Sequence, residues 1–254
     1  MKRHYLLTIL LAISIAFSTL SASEKSAETL RYKIVYRWGL VNKQAGRATF
    51  NISHRSDGSS HASMCARTEP WADHVYKVRD TLLTTFNTKT RLPSSYTRIA
   101  HEGGAYANDK VTFSRNGNTT SASCVRLRRG KKDKSVSRNE TSLTANGNAV
   151  DLLSSFYYLR GLDFSNMTSG TPHVINIFSG KRKEVLKISY HGIETIKIDG
   201  QNKRTHKVTF TFTSENGKTT SSPIKAWLST DEKHIPLKLE GELKIGKVQC
   251  ILIQ

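Results

Sequence analysis

The chain has 254 residues, a formal charge of +19, nine phenylalanines, nine tyrosines, three tryptophans and three cysteines. With five prolines, no Pro/Ser run, no long charge block and no repeat of fixed period, the composition excludes arrays and long linkers and fits one domain with one core. No CxxC, Cys/His cluster, GxSxG elbow, HExxH or phosphate-cradling glycine loop is present, which argues against a metal centre, thioredoxin-like redox chemistry, the common hydrolases and nucleotide binding.

At the N-terminus, Lys2, Arg3 and His4 precede an uncharged run from Leu6 to Phe17, followed by Ser18, Thr19, Ser21, Ala22 and Ser23. This is the pattern of a secretory signal peptide, with cleavage expected after Ser23. The apolar run is about a dozen residues, short of the roughly 20 that span a bilayer, and no later segment is apolar enough to cross one. No cysteine lies near the cleavage point, so no lipid anchor is expected there. The mature domain, residues 24–254, is then a soluble protein of the periplasm or of the outer-membrane surface, still at +17 once Lys2 and Arg3 are gone. An exported chain without a nucleic-acid-binding motif is a poor match for nucleic acid despite its charge. In an oxidising compartment Cys65, Cys124 and Cys250 permit one disulfide; Cys250, beside Val248 and Leu252, reads as a small core residue, and a Cys65–Cys124 pair stays open.

From Tyr32 onward the pattern is alternation. Tyr32, Ile34, Tyr36 and Trp38, then Ala48, Phe50 and Ile52, recur at period two, as expected for half-buried strands. The same signal returns at Leu82/Thr84/Phe86, Val111/Phe113, Val125/Leu127, Leu186/Ile188/Tyr190, Val208/Phe210/Phe212, Leu237/Leu239 and Leu243/Ile245. Asp57-Gly58, Asn116-Gly117, Asn146-Gly147, Asp199-Gly200 and Asn216-Gly217 lie between the runs and favour tight hairpins, so successive strands are expected to be antiparallel neighbours. Ala149 to Arg160 breaks the pattern. As a helix it carries a narrow polar stripe of Asp151, Ser154, Ser155 and Tyr158, with apolar side chains elsewhere and Gly161 as its stop. A short helix so widely apolar belongs against the concave face of a curved sheet. The predicted fold is all-β with one short buried helix: an antiparallel meander of about a dozen strands curled into a deformed or half-open barrel.

Several motifs occur in order along the chain: RYKIVYRWG at 31–39, EPWAD at 69–73, YKVRDTL at 76–82, HEGG at 101–104, the helix, WLS at 227–229 and IPLKL at 235–239. Over about Arg31 to Ile253 they resemble an exported bacterial family of unknown function, domain of unknown function 3108. The resemblance implies a deformed barrel similar in shape to periplasmic lipoprotein carriers. It implies no reaction, cofactor or catalytic residue, and analogy of fold alone does not transfer function.

Two sets of residues are candidates for function. Trp38, Trp71, Tyr76, Tyr106, Phe156, Tyr157 and Trp227 are the aromatic residues expected to line an apolar cavity between sheet and helix. The basic run RLRRGKKDKSVSR, with Arg126, Arg128, Arg129, Lys131, Lys132 and Lys134, is the candidate docking surface for anionic lipid or glycan. Together they suggest a non-catalytic binding or carrier protein for an amphiphilic or lipid-like ligand. The alternative is a structural or assembly factor of the cell envelope that docks on anionic glycan, lipid or a protein partner. A hydrolase built on Asp73, His74, Asp80, His101 or Glu102 ranks last for lack of any convergent motif, since adjacent strand residues such as Asp73 and His74, or His101 and Glu102, point to opposite faces unless they sit in loops.

Overall fold

A computed structural model of the protein describes residues 27–132, 135–180, 182–214, 217–218, 222–243 and 245–253; the expected leader, Lys134 and Asn216 lie outside them. The elements in chain order are β1 (Ala27–Trp38), β2 (Val41–His54), β3 (Ser59–Thr68), α1 (Pro70–Tyr76), β4 (Val78–Asn87), β5 (Pro93–Glu102), β6 (Ala105–Asn116), β7 (Thr119–Arg129), β8 (Ser137–Asn146) and β9 (Ala149–Val150). Then come α2 (Leu152–Arg160), β10 (His173–Phe178), β11 (Lys183–Ile198), β12 (Gln201–Ser214), β13 (Ile224–Ser229), β14 (Pro236–Glu242) and β15 (Lys247–Leu252).

All fifteen strands form one sheet, ordered β8-β7-β6-β5-β4-β3-β2-β1-β15-β14-β13-β12-β11-β10-β9. The two ends of the chain meet where β1 pairs β15, from Tyr32 opposite Leu252 to Arg37 opposite Lys247. The sheet curls into a nearly closed barrel whose free edges are β8 and β9. Side chains bridge that seam: the Asn176 amide donates to the carbonyls of Asn146 and Asn148 at 3.0 and 3.1 Å, and the Lys183 ammonium to that of Thr144 at 3.3 Å.

The period-two runs of β2, β4, β6, β11 and β12 become strands with their apolar residues turned inward, as expected; Val125 and Leu127 on β7 face outward instead, because Ala122, Cys124, Arg126 and Arg128 take the inner face of that strand. Asn146-Gly147 differs from the other Asx-Gly turns. It is no hairpin: the chain leaves β8 there and forms β9, which pairs β10 in parallel, with α2 in the crossover. Ala149 and Val150 are therefore strand rather than the first turn of the helix. The supposed polar stripe is also reassigned, because Asp151 is the extended N-cap and both it and Ser154 are buried. One oxygen of Asp151 accepts the N–H groups of Leu153 and Ser154, each at 2.8 Å, and the Ser154 hydroxyl accepts the Asp151 N–H at 2.9 Å. That reciprocal capping satisfies helix donors that water cannot reach. The other oxygen accepts the Thr84 hydroxyl at 2.7 Å, tying the helix start to β4.

The helix ends at Gly161, where an added Cβ would strike the Arg91 guanidinium. Arg160 clamps this end by a two-pronged ion pair to Glu28 at the start of β1, at 2.6 and 2.9 Å. Between the clamps, Leu153 and Tyr157 join the core cluster under β2–β8, Leu159 joins that under β10–β13, and Phe156 also packs on the Leu30/Tyr32/Ala48 cluster. The helix is the central filling of the barrel.

Because the meander alternates direction, its connections fall on two rims. The first rim carries the β1–β2, β3–β4, β5–β6, β7–β8, β10–β11, β12–β13 and β14–β15 connections. The second carries the β2–β3, β4–β5, β6–β7, β11–β12 and β13–β14 connections, together with the end of α2. One segment read as strand belongs to the first rim instead: Leu243 and Ile245 are exposed in the turn between β14 and β15.

Candidate functional site

An apolar cavity of about 190 Å³ lies between α2 and the sheet. The helix contributes Leu152, Leu153, Ser155, Phe156 and Leu159; β2, β3 and β4 contribute Phe50, Met64 and Leu82; Leu186, Ile188, Phe210, Phe212 and Leu239 close the far wall from β11, β12 and β14. These walls come from the two halves of the meander, and the helix holds them apart. Phe50 stacks on Phe156 with ring centroids 4.5 Å apart, and Tyr32 meets Phe50 edge-on at 5.4 Å, which fixes one wall.

Ser155 is the polar residue of the lining, and its hydroxyl donates to the Leu152 carbonyl at 2.8 Å. The cavity thus has no polar demand of its own, and such spaces stay dry and accept apolar groups. Its volume is below the roughly 300–1,000 Å³ typical of drug-sized ligand sites.

Of the seven aromatic residues expected in the cavity, Phe156 lines it. Tyr157 is its helix neighbour but faces Phe86 and a separate depression shared with Glu28 and Arg160. Trp38 and Tyr76 are exposed on the first rim. Trp71, on α1, donates its indole N–H to the Gln44 carbonyl at 2.8 Å, and Tyr106 packs against His101 and the Arg129 guanidinium. Trp227 lies on the outer face of β13, between the inward-facing Ala226 and Leu228, with the Lys238 ammonium 4.6 Å from its ring centroid. The cavity aromatics that sequence reasoning missed, Phe50, Phe210 and Phe212, read as ordinary strand core, and no local signal marks which core residues leave a gap.

The basic run also divides by strand face. Arg126 and Arg128 point into the barrel and converge on buried Asp109, at 2.9 and 2.5 Å. The turn after β10 closes over this group, with Gly180 so near that an added Cβ would sit 3.1 Å from that of Asp109. These two arginines are therefore held by an internal ion triad. Lys131 and Lys132 remain exposed on the first rim.

Of the acid/base candidates, Asp80 and Glu102 meet at Arg98, while Asp73, His74 and His101 stand apart from them. Asp73 binds Arg79 at 2.7 Å and accepts the Thr68 hydroxyl, and these bonds pull its carboxyl down to about 2. His74 is exposed on α1, and the His101 ring lies 5.0 Å from that of Tyr106. Asp80 and Glu102 share Arg98 at 3.3 and 2.5 Å. Burial, followed by the neighbouring Glu102, pushes the Asp80 carboxyl up to about 6 against the opposing pull of Arg98. Among the described residues no group of three or more His, Cys, Asp or Glu side chains is placed to hold a metal ion. The cysteines are free: Cys124 is buried inside the barrel, Cys65 is exposed outside it, and Cys250 packs beside the Leu30/Tyr32/Ala48 cluster. The Cys65–Cys124 pair left open by the sequence is not formed, since the two side chains lie on opposite faces of the sheet.

Among the described residues, no helix is long and apolar enough to cross a membrane. Comparison with curated proteins gave no match. Among solved structures, the chain is similar to a beta-barrel-like protein of domain of unknown function DUF1849 from Brucella abortus, with a TM-score of 0.59 and 10% identity over 89% of this chain and 95% of that one. At that identity the likeness concerns the fold alone. A family model, described as protein of unknown function DUF3108, matches residues 31–252. Reaching from within β1 to the end of β15, that match shows that the chain belongs to the DUF3108 family.

Proposed function

We propose that this protein is a non-catalytic binding or carrier protein of the bacterial cell envelope, which takes the hydrocarbon part of an amphiphile into the cavity between α2 and the sheet. The observation that carries this reading is the lining: twelve apolar side chains and one serine whose hydroxyl is already bonded within the helix. A catalytic site needs convergent polar groups, and none of the lining supplies them. The signal-peptide pattern of residues 1–23 supports an envelope location.

The test is binding of cis-parinaric acid, a fluorescent fatty acid, to the purified protein and to Ser155→Phe, which would fill the cavity. The parent is expected to bind near one equivalent. The variant should bind at least tenfold more weakly while keeping the parent's circular dichroism. A parent that fails to bind, or a folded Ser155→Phe that binds as the parent does, removes the reading. Native mass spectrometry of protein purified from its own envelope would identify the resident amphiphile.

A further inference from the structure

The first rim carries exposed apolar side chains at its turn tips. In the β1–β2 turn Trp38 is 58% exposed and Leu40 fully so; in the β14–β15 turn Leu243 and Ile245 are 50% and 61% exposed. The two turns touch. The Tyr36 hydroxyl donates to the Ile245 carbonyl at 3.1 Å, and a Cβ on Gly246 would lie 3.0 Å from that of Trp38. The patch continues onto α1, whose Trp71 is hydrogen-bonded to β2 and covered by the Lys43 ammonium 4.5 Å from its ring centroid, and which exposes Val75 and Tyr76. Soluble proteins scatter single apolar residues on their surface, but a contiguous set at strand tips marks a contact surface.

The charges around this patch select the partner. Arg37, Lys43 and Lys77 flank it, and Lys131 and Lys132 stand exposed on the same rim. Glu69 and Asp73 are held by Arg47 and Arg79, which leaves Glu242 as an exposed carboxylate beside the patch. Apolar and aromatic tips set among cations match the headgroup region of an anionic bilayer: tryptophan and tyrosine favour that depth, and lysine and arginine meet the surface charge. We infer that the first rim is a membrane-docking surface, with the tips of the β1–β2 and β14–β15 turns inserted among the headgroups of an anionic bilayer. This docking is independent of what the cavity holds.

The experiment is flotation of the purified full chain at low salt with vesicles of phosphatidylcholine alone and of phosphatidylcholine mixed with phosphatidylglycerol. The parent is expected to float with the anionic vesicles and to stay behind with the neutral ones. Leu40→Ser combined with Ile245→Ser should keep the parent's circular dichroism and lose about tenfold or more in partitioning, since two inserted side chains are removed. Leu83→Ser combined with Val174→Ser, at exposed positions on β4 and β10, should float as the parent does. Equal flotation of the rim variant and the parent overturns the inference, as does equal binding to neutral vesicles. Capture by a soluble acidic polysaccharide without flotation also overturns it, as does a dimer that the rim substitutions dissociate when the parent does not float. Neither rim substitution lies in the cavity, so a failure here leaves the binding of cis-parinaric acid untouched.

Discussion

At the second rim the barrel is sealed by packing: α2 fills the lumen, Arg160 pins its end to Glu28, and the turns around it, Arg55–Gly58 and Thr88–Arg91, are polar. At the first rim the arrangement is reversed. The lumen there is held by ion pairs, Asp109 with Arg126 and Arg128 and Asp80 with Arg98, while apolar side chains stand outside at the turn tips. Burial of apolar area stabilises a fold, whereas buried ion pairs contribute little net stability and exposed tryptophan contributes none. The stability of the domain should therefore be concentrated around the helix, and the first rim should be where the molecule meets something else.

The strongest way to break that contrast is Leu153→Asp. Leu153 is 1% exposed and joins α2 to the core under β2–β8, so an aspartate there loses apolar burial and places a carboxylate in the centre of the barrel. A loss above about 4 kcal/mol is expected, enough to unfold a marginal domain. Urea denaturation followed by circular dichroism measures it. A variant with the parent's midpoint would mean that the helix does not seal the second rim.

A smaller effect sharpens the other half of the comparison. Asp109→Ala leaves two guanidinium groups facing each other beneath Gly180, and about 3 kcal/mol should be lost, because breaking a buried ion group strands the remaining charges. Lys131→Ala with Lys132→Ala, a few residues further along the same basic run, should change stability by no more than about 0.5 kcal/mol. If the two variants denature alike, the inward and outward members of the run are not energetically distinct.

That basic run shows where sequence reasoning stops. Period-two alternation is local, so the strands, most turns and the inward faces of β2, β4, β6 and β11 were legible. The partner of Arg126 and Arg128 sits on the neighbouring strand, and only the register of β6 with β7 reveals it; without it, a row of cations reads as a docking surface. Alternation also fails to say where a strand stops. Leu243 and Ile245 continue an apolar alternation past the end of β14, and Trp38 is the last residue of β1, so all three read as half-buried when they are rim tips. The helix was legible from its breadth of apolar residues, yet the cavity beside it was not, because its walls come from strands that α2 and its flanking loops separate in sequence. Asp151 and Ser154 resembled a solvent stripe because a buried capping box and a polar face use the same residue types.

Asp151 supplies the subtlest test, because it places a carboxylate inside the sealed half of the barrel. Burial pushes its pKa up to about 6 against the pull of its bonds from Ser154, Thr84 and Leu153. Its pKa in the fold thus lies above the ordinary value of 3.8, so between these two values the native state holds more protons than the unfolded chain. Stability from this group is highest below about pH 4, falls as pH rises, and the full cost of ionisation is present above about pH 6. Asp151→Asn removes that titration while keeping the architecture. The amide oxygen can still accept the Leu153 and Ser154 N–H groups, and its nitrogen can donate to Thr84, whose hydroxyl then turns to the Ser95 carbonyl 3.1 Å away. The stability of Asp151→Asn relative to the parent should therefore rise by about 2 kcal/mol between pH 4 and pH 7, measured as the shift in urea midpoint. A difference that stays constant over that interval would mean that Asp151 titrates as it does in water, and that the polar start of α2 is open to solvent rather than sealed.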